Sequence, residues 1–218
     1  DVVAEKKRGL GCCGCGCVVL FILALLFAVL IGGVGYVGYK KLNSLTTSTP
    51  GTVQSYNGGD DFYRNTTQKL ADFEQAVQRH QASTLRLNAD EINTLIARSP
   101  VLKENNIRLF VTMTGDIAEV KMSISLNNFN LSALKDRYIQ GALSSGIDFD
   151  PQNKTLNLLI KNLQVSNDIV PKNYLPVVQS EIDPAFNQML QNDPSGKKIL
   201  EQAKSIQIEN SELVIELE

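Results

Sequence analysis

The chain has 218 residues, with 21 Lys and Arg against 23 Asp and Glu and a formal net charge of -2. That length covers about one to one and a half domains, and the balanced charge excludes a strongly basic nucleic-acid binder and a long acidic tail. Hydrophobic residues make up 43%, which argues against wholesale disorder, and the four Cys all fall between residues 12 and 17, so no disulfide staples the rest of the chain.

Residues 1–17 end in the run GCCGCGC. Cys12, Cys13, Cys15 and Cys17 are too crowded for tetrahedral zinc, whose ligand pairs are normally separated along the chain. Three readings stay open: a small-residue neck entering a membrane, S-acylation at the cytoplasmic face, and metal or redox chemistry. The neck is preferred.

Residues 18–31 are continuously apolar, GGVGYVGY follows to Tyr39, and no charge occurs between Arg8 and Lys40. The 22 residues 18–39 would form a helix of ~33 Å, against a bilayer core of about 30 Å. In lipid the backbone must bond to itself, so the segment is expected to be a single transmembrane helix. Tyr36 and Tyr39 fall at its end, where such rings favour the headgroup level. A cleaved signal peptide is the competing reading, but no A-x-A-like site closes the apolar run. Gly32, Gly35 and Gly38 mark one small face, not at the four-residue GxxxG spacing, and two readings stay open: close packing against a helix partner, and the ordinary enrichment of Gly near the end of a membrane helix. Lys6, Lys7 and Arg8 precede the segment and only Lys40 and Lys41 follow it, which places the N-terminus in the cytoplasm. Reduced thiols on that side agree. The expected location is a cell membrane crossed once, with the C-terminal domain on its extracytoplasmic side.

Residues 40–60 are rich in Ser, Thr, Gly and Asn and read as a flexible linker. The domain then spans residues 61–218. Phe62, Thr66, Leu70, Phe73, Val77 and His80 recur at helical spacing over residues 61–81. His80, the only His, has no ligating residue in register, and a capping or solvated role is expected. Residues 85–87 read as a short strand. Asn88 and Glu91 form a capping box opening a helix that buries Ile92, Leu95 and Ile96 and stops before Pro100.

Residues 107–113 and 118–126 make a hairpin turned by Gly115 and Asp116, with Val120, Met122, Ile124 and Leu126 inward. Residues 138–149 and 155–165 make a second, with Pro151 at the second position of a type I turn. Asp148, Asp150 and Asn153 offer oxygen ligands there, but the glycine and distal Glu of a calcium loop are missing, so they read as turn residues. Pro171 and Pro176 bracket a helix start running to about Leu190. A short helix is expected over residues 197–204. The chain ends in an alternating strand or hairpin broken at residues 209–212. Strands cluster between helices, which gives an α+β class: an antiparallel sheet of hairpins packed with two or three helices.

The pieces LRLNADEINTLI (85–96), DRYIQGALSSGIDFDPQNKTLNLLIKNLQVSND (136–168) and SIQIENSELVIEL (205–217), with the Gly115–Asp116 hairpin, resemble a set of bacterial single-pass membrane proteins with small extracytoplasmic domains. More distantly they are similar to YpmS-like anchored domains and to tubular lipid-binding domains of the BPI type. The resemblance implies a curved sheet wrapped against a long helix, with an apolar groove. It carries no catalytic residue across.

No nucleophile elbow, zincin, P-loop or Rossmann pattern occurs. The expected function is therefore a membrane-anchored, non-enzymatic module acting in structure or interaction, such as an accessory subunit of an envelope complex. Its partners would be the lipid bilayer and a membrane protein or second copy, with no nucleic acid and no cofactor. The alternative is a tethered lipid- or apolar-ligand-binding domain, with a groove lined by Leu70, Phe73, Met122, Ile124 and Leu158. Ordinary core packing is the competing reading of those five residues.

Overall fold

A computed structural model describes residues 46–56, 58–127, 135–166 and 168–218. The segment 18–39, Cys12, Cys13, Cys15 and Cys17, and Gly32, Gly35 and Gly38 lie outside the described residues. No helix among the described residues is long and apolar enough to cross a membrane.

The elements in order are β1 (Thr46–Thr47), α1 (Gly59–Arg79), β2 (Thr84–Asn88), α2 (Ala89–Arg98), α3 (Pro100–Glu104), β3 (Ile107–Thr114), β4 (Ile117–Ser125), β5 (Tyr138–Asp150), β6 (Thr155–Val165), β7 (Asp168–Ile169), a 3-10 turn (Lys172–Tyr174), α4 (Leu175–Asn192), α5 (Pro194–Gln202), β8 (Ala203–Glu209) and β9 (Glu212–Leu217). The class is α+β with antiparallel pairing throughout. Among the described residues the strands form two sheets. The larger runs β3-β4-β5-β6-β7, with β1 added against β5, and the smaller runs β2-β9-β8.

Local chemistry sets most boundaries. In α1, Thr66, Leu70, Phe73 and Val77 are buried, and His80 closes the helix at φ 52° as an exposed left-handed cap. The capping box is complete: the Asn88 side chain accepts from the Glu91 N–H, and Glu91 accepts from the Asn88 N–H, both at 2.9 Å. Lys69 of α1 reaches the other Glu91 oxygen at 2.5 Å, joining α1 to this cap. Ser99 ends α2 and caps α3, whose Pro100 is pre-set for the first helical turn. The break at residues 209–212 is a two-residue hairpin turn, with Asn210 and Ser211 at φ 53° and 65°. Two positive φ values match the twist of the flanking strands. The last helix covers Pro194–Gln202 rather than residues 197–204. Ala203 and Lys204 belong to β8, because pairing with β9 outweighs their helix propensity.

One connected apolar core joins α1, α2, α4, α5 and both sheets. Sheet edges normally invite pairing with other chains. Here a buried asparagine covers part of each long edge of the larger sheet. On β3, the Asn93 side chain of α2 donates to the Val111 carbonyl (2.7 Å) and accepts its N–H (2.8 Å). On β6, Asn187 of α4 donates to the Leu156 carbonyl (2.7 Å) and accepts its N–H (2.8 Å). Each side-chain amide stands in for one residue of a missing strand. Asp183, one turn earlier on α4, accepts the next outward N–H, from Leu158, at 3.0 Å.

Burial pushes the Asp183 carboxyl above its usual range, against the lowering effect of the Leu158 N–H and the Gln179 side chain. A raised folded-state value means the folded chain binds more protons than the unfolded one. This contribution to stability is therefore greatest at low pH and declines as pH rises through the titration. Asp183→Asn keeps an acceptor for Leu158 and removes the partly buried charge. Thermal melts should show a higher Tm for the variant at neutral pH, with the gap closing near about pH 3, where the carboxyl is protonated. A lower Tm at both pH values would contradict this reading.

The segment expected to be a free linker is in part a packed strap. Thr46 and Thr47 pair with Ile139 and Tyr138, on the side of β5 that β6 leaves unpaired beyond Gly141. Arg137 Nε donates to Thr46 Oγ1 at 2.5 Å, and its guanidinium also bonds the Thr46 carbonyl at 2.9 Å. Gln140 Nε2 donates to Thr47 Oγ1 (2.7 Å) and the Thr49 carbonyl (2.9 Å). The Gly51 N–H donates to buried Ser123 Oγ at 2.9 Å, so the strap crosses the outer face of the sheet from β5 to β4. Small hydroxyl residues composed this segment for backbone pairing, not only for freedom.

Candidate functional site

The stripe of α1 faces the smaller sheet, and α5 closes over one side of the space between them. Asp193 caps α5 by accepting the Gly196 N–H at 2.6 Å, with Pro194 in the first turn. A Cβ on Gly196 would lie 2.7 Å from the Leu190 carbonyl oxygen, so glycine lets α5 turn tightly off the end of α4. The result is a cavity of about 110 Å³ opening between α1 and α5. Leu70, Phe73 and Val77 of α1 form one wall, Leu85, Leu213 and Ile215 of the smaller sheet another, and Glu74, Gln78 and Lys198 edge it.

Of the five expected groove residues, Leu70 and Phe73 stand on this wall. Met122 and Ile124 of β4 and Leu158 of β6 are sealed in the core and do not line it. Alternation along a strand identifies an inward face but not what lies opposite it. A cavity of ~150 Å³ holds a benzene ring, and ordinary ligand pockets begin near ~300 Å³. This one therefore accommodates a group no larger than the end of an apolar chain.

The carboxylates make other structures. Asp150 accepts from the Gln152 N–H (2.8 Å), the Asn153 N–H (3.0 Å) and the Asn153 side chain (2.7 Å). The Asn153 bonds, with help from Gln152, hold the Asp150 carboxyl below its usual range. Those oxygens serve the β5–β6 turn. Among the described residues, no group of three or more His, Cys, Asp or Glu is placed to hold a metal ion.

Comparison with family models, with curated proteins and with solved structures finds no match to this chain.

Asn93 and Asn187 are the residues that the sequence reading missed. Their signal was present: each is a polar residue inside an apolar helical stripe, Asn93 beside Ile92 and Ile96, Asn187 beside Phe186 and Leu190. A buried amide at such a position requires partners.

Proposed function

We propose that this chain is a membrane-anchored, non-enzymatic structural or interaction module, held by residues 18–39 in a bacterial cytoplasmic membrane with its domain on the extracytoplasmic side. The strap carries this reading. Because β1 begins at Thr46, only residues 40–45 separate the apolar segment from a packed strand. Six residues reach about 20 Å at full extension. A domain held so close is suited to fixed presentation beside the bilayer and poorly suited to ranging across an envelope. The only His, spent on an exposed helix cap, fits a role without acid-base chemistry.

The α1–α5 cavity favours a second reading, a tethered domain that holds an apolar ligand. Its small volume ranks that reading below the first. Purification of the full chain from membranes in mild detergent, followed by native mass spectrometry, separates the two. The module predicts a stoichiometric protein partner or a second copy on a domain of bare mass. A small apolar adduct on an otherwise solitary chain would support the ligand reading and contradict the first.

A further inference from the structure

Five large apolar side chains are prominently exposed among the described residues: Val101 (47%), Leu159 (41%), Ile169 (66%), Tyr174 (38%) and Val177 (56%). Four of them lie toward one end of the larger sheet, Val101 at its β3 edge and Ile169, Tyr174 and Val177 along its β6–β7 edge. Antiparallel pairing puts the start of β3, the end of β4, the start of β5 and the end of β6 together there. The Ser125 N–H bonding the Asn106 carbonyl, and the Leu126 N–H bonding the Arg137 carbonyl, fix that end. Val101 lies on α3, which leads into β3. Ile169 and Tyr174 follow the end of β6, where the Val170 N–H returns to the Leu163 carbonyl. Val177 is in the first turn of α4, which runs back along β6 to place Asp183 at Leu158 and Asn187 at Leu156. Leu159 alone stands apart, over Gly146 in mid-sheet.

The N-terminal chain enters at the same end. Thr46 pairs with Ile139, and the neighbouring Gln140 carbonyl accepts the N–H of Ser166 at the β6–β7 turn. The entry point thus adjoins the Ile169–Val177 side of the patch. Charge differs here too. Residues 42–218 hold 16 Lys and Arg against 21 Asp and Glu. At this end Lys103, Lys135, Arg137 and Lys172 outnumber Glu104, Asp136 and Asp168, and Lys40 and Lys41 precede the entry in sequence. An end without net negative charge does not repel anionic lipid.

We propose that this end of the domain is a membrane-docking face, on which Ile169, Tyr174 and Val177 with Val101 rest in the headgroup region of the bilayer that holds residues 18–39. The proposal rests on the anchored reading above. A tyrosine flanked by aliphatic side chains suits the headgroup level. A tether of six residues makes docking effectively intramolecular, so a patch too weak to bring a free protein to a membrane holds one already tied there. The α1–α5 cavity lies toward the other end of the sheet, beside Leu156 at the start of β6.

The chain has no Trp, so Tyr174→Trp supplies a single fluorophore, with Leu159→Trp as the mid-sheet control. Each full-length variant is placed in vesicles of phosphatidylcholine and phosphatidylglycerol, with or without brominated acyl chains, and washed with alkaline carbonate. Docking predicts that the fluorophore at 174 loses most of its emission to brominated lipid while that at 159 keeps it and is quenched by aqueous iodide. Emission at 174 that resists bromine and yields to iodide would overturn docking alone, as would shielding from both, which would show a protein cover. Loss of the chain in the carbonate wash would overturn the anchor and the docking together.

Discussion

Asn187→Ala should lower the stability of the folded domain by about 3 kcal/mol, through the loss of a single side-chain amide. The amide is nearly buried and satisfies both backbone groups of Leu156, and it also donates to the Asp183 carbonyl at 2.8 Å within its own helix. Alanine leaves a buried N–H and a buried C=O without partners, each worth about 1–3 kcal/mol. Asn93→Ala does the same to Val111 on the opposite edge, with a loss of similar size. Chemical denaturation of each variant measures this. Against a total stability of about 5–15 kcal/mol, the double variant should be largely unfolded or aggregated, since both edges would then be open. A loss below about 1 kcal/mol in either single variant would show that water or a shifted backbone replaces the amide.

Gly141→Ala should cost a comparable amount, about 3 kcal/mol, through a steric route. Gly141 stands where β5 changes neighbour from β6 to β1, opposite Val165 on one side and Met122 on the other. An added Cβ would sit 2.5 Å from the Gln164 carbonyl oxygen, which belongs to backbone and cannot rotate away. The end of β6 has to lift, taking with it the Ser166 N–H bond to Gln140 and the β7 pairing. Hydrogen exchange should therefore quicken at Ser166 and Val170 before it quickens at the β3–β4 hairpin. Equal quickening across both hairpins would contradict a local clash.

The difference between these residues and those legible in the sequence is one of range. The Asn88–Glu91 capping box, the Gly115–Asp116 turn and the Asp150–Asn153 turn close on themselves within a few residues, so their chemistry is written locally. The inward set Val120, Met122, Ile124 and Leu126 follows from the period of a strand, and all four are buried. Asn93 and Asn187 act on strands 18 and 31 residues away, and nothing nearby states which backbone groups they serve. The division into two sheets depends on β2 pairing with β9 across most of the domain, a contact that no short window contains. Among the described residues, α3 is a helix that the sequence did not show, started by Ser99 at Pro100, while α5 begins at Pro194 after the Asp193 cap, three residues before the short helix expected there. The strap was misread for a related reason. Its Thr, Ser and Gly composition matches a flexible linker, whereas its order comes from Arg137, Gln140 and Ser123. The candidate site was partly legible: Leu70 and Phe73 belong to a helix whose buried stripe is plain, but they face mainly the smaller sheet, and the sheet carrying Met122 and Ile124 lends the cavity Leu156 instead.

The central claim is tested most directly by adding protease to intact spheroplasts that express the full chain with a C-terminal epitope. The anchored arrangement predicts that the epitope is lost from unbroken cells while a short fragment containing residues 18–39 stays in the membrane. An epitope that survives until the cells are lysed, or that is found in the medium on a chain lacking those residues, would contradict it.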